Sequence, residues 1–126
     1  ARSDFVSIHV ALAAATRNLL NAGKIALMKP GAVLVNTARG GIVDERALAA
    51  ALAAGKLSAA GIDVFEREPV PADNPLLHLA NVVATPHIGS ATMATRARMA
   101  DMAAANAIAA LQGRVMPCCV NPQVYA

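Results

Sequence analysis

Three separated stretches of the chain each follow a short apolar run and end in polar, chemically reactive residues. They are VNTARGG at residues 35 to 41, GIDVFEREP at residues 61 to 69 and TPHIGS at residues 85 to 90. Each apolar run is typical of a strand in a parallel sheet. Because open α/β sheets bind their ligands at the carboxyl ends of the strands, the pattern predicts a parallel sheet whose polar residues meet along one edge.

Strand and helix signals alternate along the chain. Strands are predicted at four places: residues 4 to 10, 32 to 36, 58 to 64 and 81 to 85. Good N-cap residues precede three predicted helices, which cover residues 22 to 28 after Asn21, 45 to 54 after Asp44, and a long stretch to about residue 112 after Ser90 or Thr92. This alternation predicts an α/β fold in which helices cover a parallel sheet.

Composition and charge argue against two classes of partner. The chain of 126 residues has a net charge of +3, but its basic residues are scattered and aromatic residues make up only 2%. Nucleic-acid binding is disfavoured, because it relies on clustered basic and aromatic side chains. No uncharged apolar run is long enough to span a membrane, since the longest predicted helix carries Arg96, Arg98 and Asp101. We expect neither a nucleic-acid nor a membrane partner.

The two cysteines, Cys118 and Cys119, are adjacent. Neighbouring cysteines do not readily adopt ordinary disulfide geometry, and two of them make no disulfide framework. A metal site needs more ligands than this pair offers, so we predict no metal. A reducing compartment fits this cysteine content, and we expect a cytoplasmic location.

Arg39 follows the strand predicted at residues 32 to 36 and precedes two glycines, Gly40 and Gly41. The glycines permit a tight turn and a close approach of a ligand to the backbone. A guanidinium at this place can hold a carboxylate through two hydrogen bonds. Taken alone, however, Arg39 is better explained as a surface arginine paired with a nearby acid.

Other residues with acid-base chemistry also stand near strand ends. Asp63 interrupts an apolar run, where burial would require a partner, either the backbone or the amide of a bound cofactor. Glu68 lies between charged neighbours and, on its own, is most simply a solvated loop acid. His87 can move a proton or serve a structural role, and the residue alone favours neither. His9 ends the first predicted strand and can line the same crevice.

Taken together, these segments resemble the D-isomer-specific 2-hydroxyacid dehydrogenases, in the branch that contains the glyoxylate/hydroxypyruvate reductases and D-3-phosphoglycerate dehydrogenase. The resemblance covers nearly the whole chain and rests on six motifs in the same order: SDFVSIH, MKPGA, NTARGG, DVF, EP and TPHIGS. Each motif alone is weakly specific, but the full set in this order is very hard to obtain by chance. The resemblance implies a Rossmann-type fold and an oxidoreductase activity.

The resemblance also implies roles for individual residues. Arg39 matches the family's substrate arginine, His87 the acid/base that protonates the carbonyl oxygen, and Glu68 the carboxylate paired with that histidine. The implied cofactor is NAD or NADP, and seven residues match positions that bind it: His9, Thr37, Ala38, Arg39, Asp63, His87 and Gly89. The implied reaction reduces a small 2-oxo acid, of the glyoxylate or hydroxypyruvate type, to the D-2-hydroxy acid, with the hydride coming from the nicotinamide.

Other parts of the family pattern are absent from the sequence. There is no G-x-G-x-x-G motif before a helix and no acidic ribose-binding residue after a second strand, and Ala11 stands where the family often has proline. We therefore expect the C-terminal part of an NAD(P)-binding domain in residues 1 to 90. A long interdomain helix is expected in residues 91 to 113 and the tail of a substrate domain in residues 114 to 126. Such a piece is expected to be inactive by itself.

Two other functions remain open from the sequence. Corepressors that share this fold retain the same arginine, glutamate and histidine, so a nucleotide-sensing binding module is one alternative, and an inert fragment is the other. Formate dehydrogenase activity is disfavoured, because those relatives usually have glutamine where Glu68 stands. An isolated half-sheet also exposes an unpaired edge and an apolar face, so we expect a homo-oligomer, a dimer.

Overall fold

Four parallel strands form the sheet of the computed structural model, which describes residues 1 to 125. They are β1 (Phe5–Ile8), β2 (Ala32–Asn36), β3 (Leu57–Ile62) and β4 (Val82–Ala84), hydrogen-bonded in that order. Three α-helices are present in this part of the chain, α1 (Ala22–Ala26), α2 (Glu45–Ala53) and α3 (Met93–Leu111), together with 3₁₀ turns at Pro75–His78 and Pro122–Tyr125. The predicted α/β class with a parallel sheet is confirmed.

Each helix begins where a side chain accepts one of its free backbone N–H groups. The three caps are Asn21 Oδ1 to Lys24 N–H at 3.1 Å, Asp44 Oδ1 to Ala47 N–H at 2.9 Å, and Thr92 Oγ1 to Thr95 N–H at 3.2 Å. Thr92, rather than Ser90, therefore begins α3. Helix α1 ends two residues earlier than predicted, because the Met28 N–H bonds only three residues back, to the Ile25 carbonyl at 3.0 Å, and tightens the last turn.

Strand β3 ends at Ile62 instead of residue 64, because β2 offers no partner beyond Asn36. The Asn36 carbonyl accepts the Asp63 N–H at 3.0 Å, and this is the last bond between the two segments. Strand β1 ends at Ile8, opposite Asn36, for the same reason. Asp63 thus stands just past the strand, which places its carboxylate at the edge of the sheet.

The core lies on one face of the sheet, where α1 and α2 meet the strands. Its largest fully buried side chains include Ile25, Leu34, Ile42, Leu48, Leu57 and Leu76. Each such side chain contributes about 1.5–3 kcal/mol to folding by leaving water. In β2, Val33 and Val35 are only partly covered and lie outside this cluster. Strand β2 is therefore fully buried on one face only, although its continuous apolar run predicts a strand buried on both faces.

The chain divides into two compact units, of which the first spans Ala1–Gly89 and the second begins at Ser90. The second unit contains α3 and the segment that follows it. Within that unit, Asn106 Oδ1 accepts the Cys118 N–H at 2.9 Å and the Tyr125 hydroxyl accepts the Met116 N–H at 3.3 Å. None of the helices described here combines the length and the apolar character that crossing a membrane requires.

Candidate active site

The carboxyl ends of β2, β3 and β4 lie side by side. In the sheet register, Asn36 pairs with Ile62, and Ile62 pairs with Ala84. The three reactive segments that follow these strands therefore leave the sheet at one level and along one edge. This is the arrangement that the sequence predicts, and it brings Arg39, Glu68 and His87 to the polar edge of the first unit.

Glu68 and His87 form a hydrogen-bonded pair. His87 Nδ1 lies 2.9 Å from Glu68 Oε2, and the other carboxylate oxygen accepts the Phe65 N–H at 3.0 Å. Since Nδ1 faces the carboxylate, Nε2 is the ring nitrogen left for proton transfer. The side chains are 44% and 38% exposed, so a reactant can reach the pair from solvent.

The surroundings of Glu68 favour its charged form. The hydrogen bond with His87 lowers the pKa of the carboxyl group below its ordinary value of 4.5, and the Phe65 N–H acts in the same direction. Burial opposes them, whereas the charges of His87 and Arg39 add to the lowering. Glu68 is therefore an ionised partner for the histidine at neutral pH, and Arg39 lies near enough to be felt electrostatically.

Asp63 is 5% exposed and finds its partners within the chain. Its Oδ1 accepts the Thr85 hydroxyl at 2.5 Å and the Ile88 N–H at 2.9 Å, and its Oδ2 accepts the Gly89 N–H at 3.0 Å. Burial raises the pKa of the Asp63 carboxyl group, but these bonds and the charge of His87 outweigh it and leave the pKa below 3.8. Sequence reasoning left the partner open and missed Thr85 altogether.

Asp63 also holds the backbone of His87. The Asp63 carbonyl accepts the His87 N–H at 2.9 Å. The carboxylate and the carbonyl of Asp63 therefore form hydrogen bonds with four residues of the segment 85 to 89. His87 has a φ of 54°, in the left-handed region that residues other than glycine rarely adopt. The surrounding bonds keep this conformation, which turns the imidazole toward Glu68.

The loop that carries Arg39 is fixed by Asn36, which sequence reasoning did not select, and by the packing of Gly40. Asn36 is 2% exposed and bonds through its side-chain amide to Ala38 and Arg39. A Cβ atom on Gly40 would overlap the backbone carbonyl of Phe65. The expectation that the glycines admit a ligand is therefore wrong at Gly40, because the chain's own backbone fills that space, whereas Gly41 provides the turn with a φ of 76°.

A cleft of about 530 Å³ opens where β1 and β2 end. It is lined by residues 9 to 12 and 37 to 39, which include four of the predicted site residues: His9, Thr37, Ala38 and Arg39. The Arg39 Nη1 donates to the Ala38 carbonyl at 2.7 Å, and a guanidinium has four further N–H donors. The cleft offers hydroxyl, imidazole and guanidinium groups, which can form hydrogen bonds with the polar groups of a dinucleotide. The sequence offers no glycine-rich turn for the pyrophosphate.

A second cavity, of about 650 Å³, adjoins the Glu68–His87 pair on the side of β4. Its lining is mainly apolar and includes Phe65, Val70 and Leu77. The pair therefore lines this apolar cavity, whereas Arg39 lines the cleft at the ends of β1 and β2.

Folding stability is expected to fall as the pH drops through the acidic range. The fold lowers the pKa values of Asp63 and Glu68 from their ordinary 3.8 and 4.5, so the unfolded chain binds protons more readily than the folded one. Their stabilisation is complete above about pH 5 and is lost as the pH falls through the folded-state values.

Chemical unfolding measured as a series from about pH 7 down into the acidic range follows this dependence. Asp63→Asn is expected to flatten it, because asparagine does not titrate. Asp73→Asn, at an exposed loop position, serves as the matched control and should leave the dependence as it is. If the free energy of unfolding of Asp63→Asn depends on pH as steeply as that of the parent, the attribution of this dependence to Asp63 is wrong.

Comparison with known proteins agrees with this α/β fold. Residues 1 to 89 match the family model described as "D-isomer specific 2-hydroxyacid dehydrogenase, NAD binding domain". The chain is 56% identical over 124 residues to glyoxylate/hydroxypyruvate reductase B of Pectobacterium atrosepticum, and these residues make up 98% of the chain and 39% of that protein. It is 55% identical over 122 residues to the same reductase of Citrobacter koseri, covering 97% of the chain and 38% of that protein.

Solved structures with a similar fold also include members of this family. A Thermus thermophilus protein superposes with a TM-score of 0.88 at 50% identity, over 91% of this chain and 37% of that one. The NADPH-dependent glyoxylate/hydroxypyruvate reductase of Sinorhizobium meliloti, solved with NADP and malonate, superposes with a TM-score of 0.79 at 40% identity, over 84% of this chain and 33% of that one. The chain thus spans about two fifths of the length of the curated relatives that it matches.

Proposed function

The chain belongs to the family of D-isomer specific 2-hydroxyacid dehydrogenases, and from that premise we propose that it carries the catalytic end of an NAD(P)-dependent reductase. The substrate is a small 2-oxo acid of the glyoxylate or hydroxypyruvate type, and the product is the D-2-hydroxy acid. The observation that carries this proposal is the Glu68–His87 pair, at 2.9 Å, beside the loop of Arg39. A proton donor and a carboxylate-binding cation on one edge suit this reaction.

Arg39 binds the substrate in this proposal. Its guanidinium is exposed at the mouth of the cleft, where it can hold the carboxylate of a 2-oxo acid through two charge-assisted hydrogen bonds. A fixed guanidinium also orients the carbonyl group toward the end of β4, which precedes His87. Positioning of this kind lowers the barrier because the reacting groups are already aligned.

His87 supplies the proton. The imidazole, protonated at both nitrogens, donates from Nε2 to the carbonyl oxygen while the carbonyl carbon receives the hydride, so that C=O becomes CH–OH. The ring is left neutral with its remaining proton on Nδ1, against Glu68 Oε2. In the reverse direction the same nitrogen removes the hydroxyl proton. Glu68 keeps the ring oriented and favours the proton on Nδ1.

A bound nicotinamide dinucleotide supplies the hydride. His9, Thr37, Ala38 and Arg39, from the cleft at β1 and β2, would hold its nicotinamide end, together with Asp63, His87 and Gly89 across the edge. Asp63 Oδ2 accepts a single N–H, from Gly89, within the described residues, so it retains acceptor capacity for an amide. Whether NAD or NADP is used depends on a ribose-binding segment outside this sequence.

We further propose how the chain is divided. Residues 1 to 90 are the C-terminal part of the NAD(P)-binding domain, residues 91 to 113 the interdomain helix, and residues 114 to 126 the tail of a substrate domain. Alone, the chain lacks a pyrophosphate-binding turn and is inactive. Sedimentation of the purified chain tests the proposed dimer, which the exposed Phe5 and Val83 on the sheet favour.

A hybrid enzyme tests the function directly. In it, this chain replaces the matching segment of the Pectobacterium atrosepticum reductase, and the product is assayed with glyoxylate and hydroxypyruvate against both NADH and NADPH. We expect turnover in this hybrid reductase, and neither turnover nor tight dinucleotide binding by the 126-residue chain alone. A folded hybrid that binds dinucleotide without turnover would favour the nucleotide-sensing module instead.

A further inference from the structure

Asn36 is a buried polar residue at the last position of β2. With 2% exposure, it is one of two buried polar or charged residues in the described chain, the other being Asp63. Buried amides are costly unless both their donor and their acceptor find partners. The side chain of Asn36 satisfies both requirements within the loop that it precedes.

The bonds of Asn36 enclose a single peptide unit. Its Oδ1 accepts the Ala38 N–H at 3.1 Å, and its Nδ2 donates to the Arg39 carbonyl at 3.0 Å. Between these two points lies the Ala38 carbonyl, which accepts the Arg39 Nη1 at 2.7 Å. The carbonyl that orients the guanidinium is therefore fixed from both sides by one buried amide.

The backbone of Asn36 extends the connection to the second half of the site. Its carbonyl accepts the N–H of Asp63 at 3.0 Å, and Asp63 in turn holds the backbone of His87. One residue thus links the loop that carries the arginine to the segment that carries the histidine. The distance between a carboxylate held by Arg39 and a carbonyl group protonated by His87 depends on this link.

We propose that Asn36 is a positioning residue, which sets the place of the Arg39 guanidinium relative to the Glu68–His87 pair. This inference rests on the substrate-binding role proposed above for Arg39. An arginine on an exposed loop loses rotamer freedom when it binds, and a pre-set guanidinium avoids part of that loss. Asn36 acts only through Arg39 and does not touch the reactant.

Only an amide supplies the required pair of groups at this length. Asn36→Asp keeps the acceptor for the Ala38 N–H but places a second acceptor against the Arg39 carbonyl. Asn36→Leu has a similar size and removes both groups. Asn81 provides the matched control, because its Nδ2 bonds to the carbonyls of Leu52 and Ser58 at 3.3 Å, remote from the site.

The test uses the hybrid reductase and oxalate as an inert analogue of a 2-oxo acid. We expect Asn36→Asp and Asn36→Leu to weaken oxalate binding and raise the substrate KM about 10-fold to 100-fold, which is the range expected when a binding group is displaced by about 1 Å. The pH profile of kcat should stay unchanged. Asn81→Leu should lower the thermal midpoint of unfolding but leave the oxalate affinity and the substrate KM unchanged.

A double variant separates this inference from the proposed function. If Arg39→Ala leaves the substrate KM unchanged, the substrate role of Arg39 is wrong. If Arg39→Ala raises the substrate KM, the double variant decides the role of Asn36. If Asn36→Leu then raises the KM in the Arg39→Ala background by as much as it does alone, Asn36 does not act through Arg39 and the inference fails. We expect no further loss in the double variant.

A measurement on the unaltered chain guards against variants that fail to fold. Because Asn36 Oδ1 holds the Ala38 N–H, amide hydrogen exchange at Ala38 should be slow, although this residue lies in a loop outside the sheet. Exchange at the rate of an unstructured amide would overturn the inference whatever the variants do. Exchange as slow as that of neighbouring β2 amides would support it.

Discussion

Replacing His87 by alanine is expected to lower kcat of the hybrid reductase about 100-fold to 10,000-fold, the usual contribution of a positioned general acid. The loss should appear in kcat more than in the substrate KM, because Arg39 still binds the carboxylate. Steady-state kinetics with glyoxylate measures both constants. The reason lies in the 2.9 Å contact of Nδ1 with Glu68 Oε2, which leaves Nε2 as the proton donor.

Two companion variants make this result specific. Glu68→Gln keeps a hydrogen-bonding side chain but removes the charge, so we expect a smaller loss and an altered pH profile of kcat. His78→Ala is the matched control, since His78 is exposed and contacts the Ala72 carbonyl away from the site. A His87→Ala enzyme within twofold of the parent, or a His78→Ala enzyme equally impaired, would refute the acid/base assignment.

Replacing Gly40 by alanine is expected to destabilise the first unit by at least about 3 kcal/mol, at the upper end of the cost of overpacking. The added Cβ would overlap the carbonyl of Phe65, which is backbone and cannot turn aside as a flexible side chain would. The N–H of the same Phe65 holds Glu68 at 3.0 Å. The strain therefore reaches the Glu68–His87 pair, and kcat of the hybrid reductase should fall together with stability.

Gly23→Ala is the matched control for Gly40→Ala. Gly23 lies in α1, and a Cβ there meets only the Asn21 Oδ1 at an ordinary 3.5 Å. Alanine is favoured over glycine inside a helix by roughly 0.5–1 kcal/mol, so this variant should be neutral or slightly more stable. Urea unfolding compares the two free energies. If the two variants change the free energy of unfolding equally, the packing of Gly40 against Phe65 is not the cause of the destabilisation.

Local signals in the sequence are enough to predict the elements of this fold. Asn21 and Asp44 mark two helix starts, because an N-cap bond is made by residues within three positions of each other. The sequence leaves the third start open between Ser90 and Thr92, and the structure has Thr92 as the cap. Strand β2 is predicted at Ala32–Asn36 and is found there. The ends of β1 and β3 are missed because a strand stops where its neighbour stops, and the neighbour is distant in sequence.

The candidate site, too, can be predicted from the sequence only in part. The residue types at the strand ends make Arg39, Glu68 and His87 candidates, but their roles are predicted only by the resemblance to the family. The contributions of Asn36 and Thr85 are not visible in the sequence, since each depends on a bond whose geometry only the folded loop defines. The sequence shows a glycine at position 40, but it does not show that the backbone of Phe65 leaves no room for a side chain there.

Hydrophobic pattern, helix capping and residue chemistry act over short stretches, and they suffice to predict the α/β class, the helix starts and the reactive residues. Three contacts emerge only in the folded chain: Glu68 meets His87 across 19 positions, Asp63 grips the histidine loop, and the backbone of Phe65 fills the space beside Gly40. These contacts join segments from different strand ends. Their distances are set by the register of the parallel sheet, which no local pattern encodes.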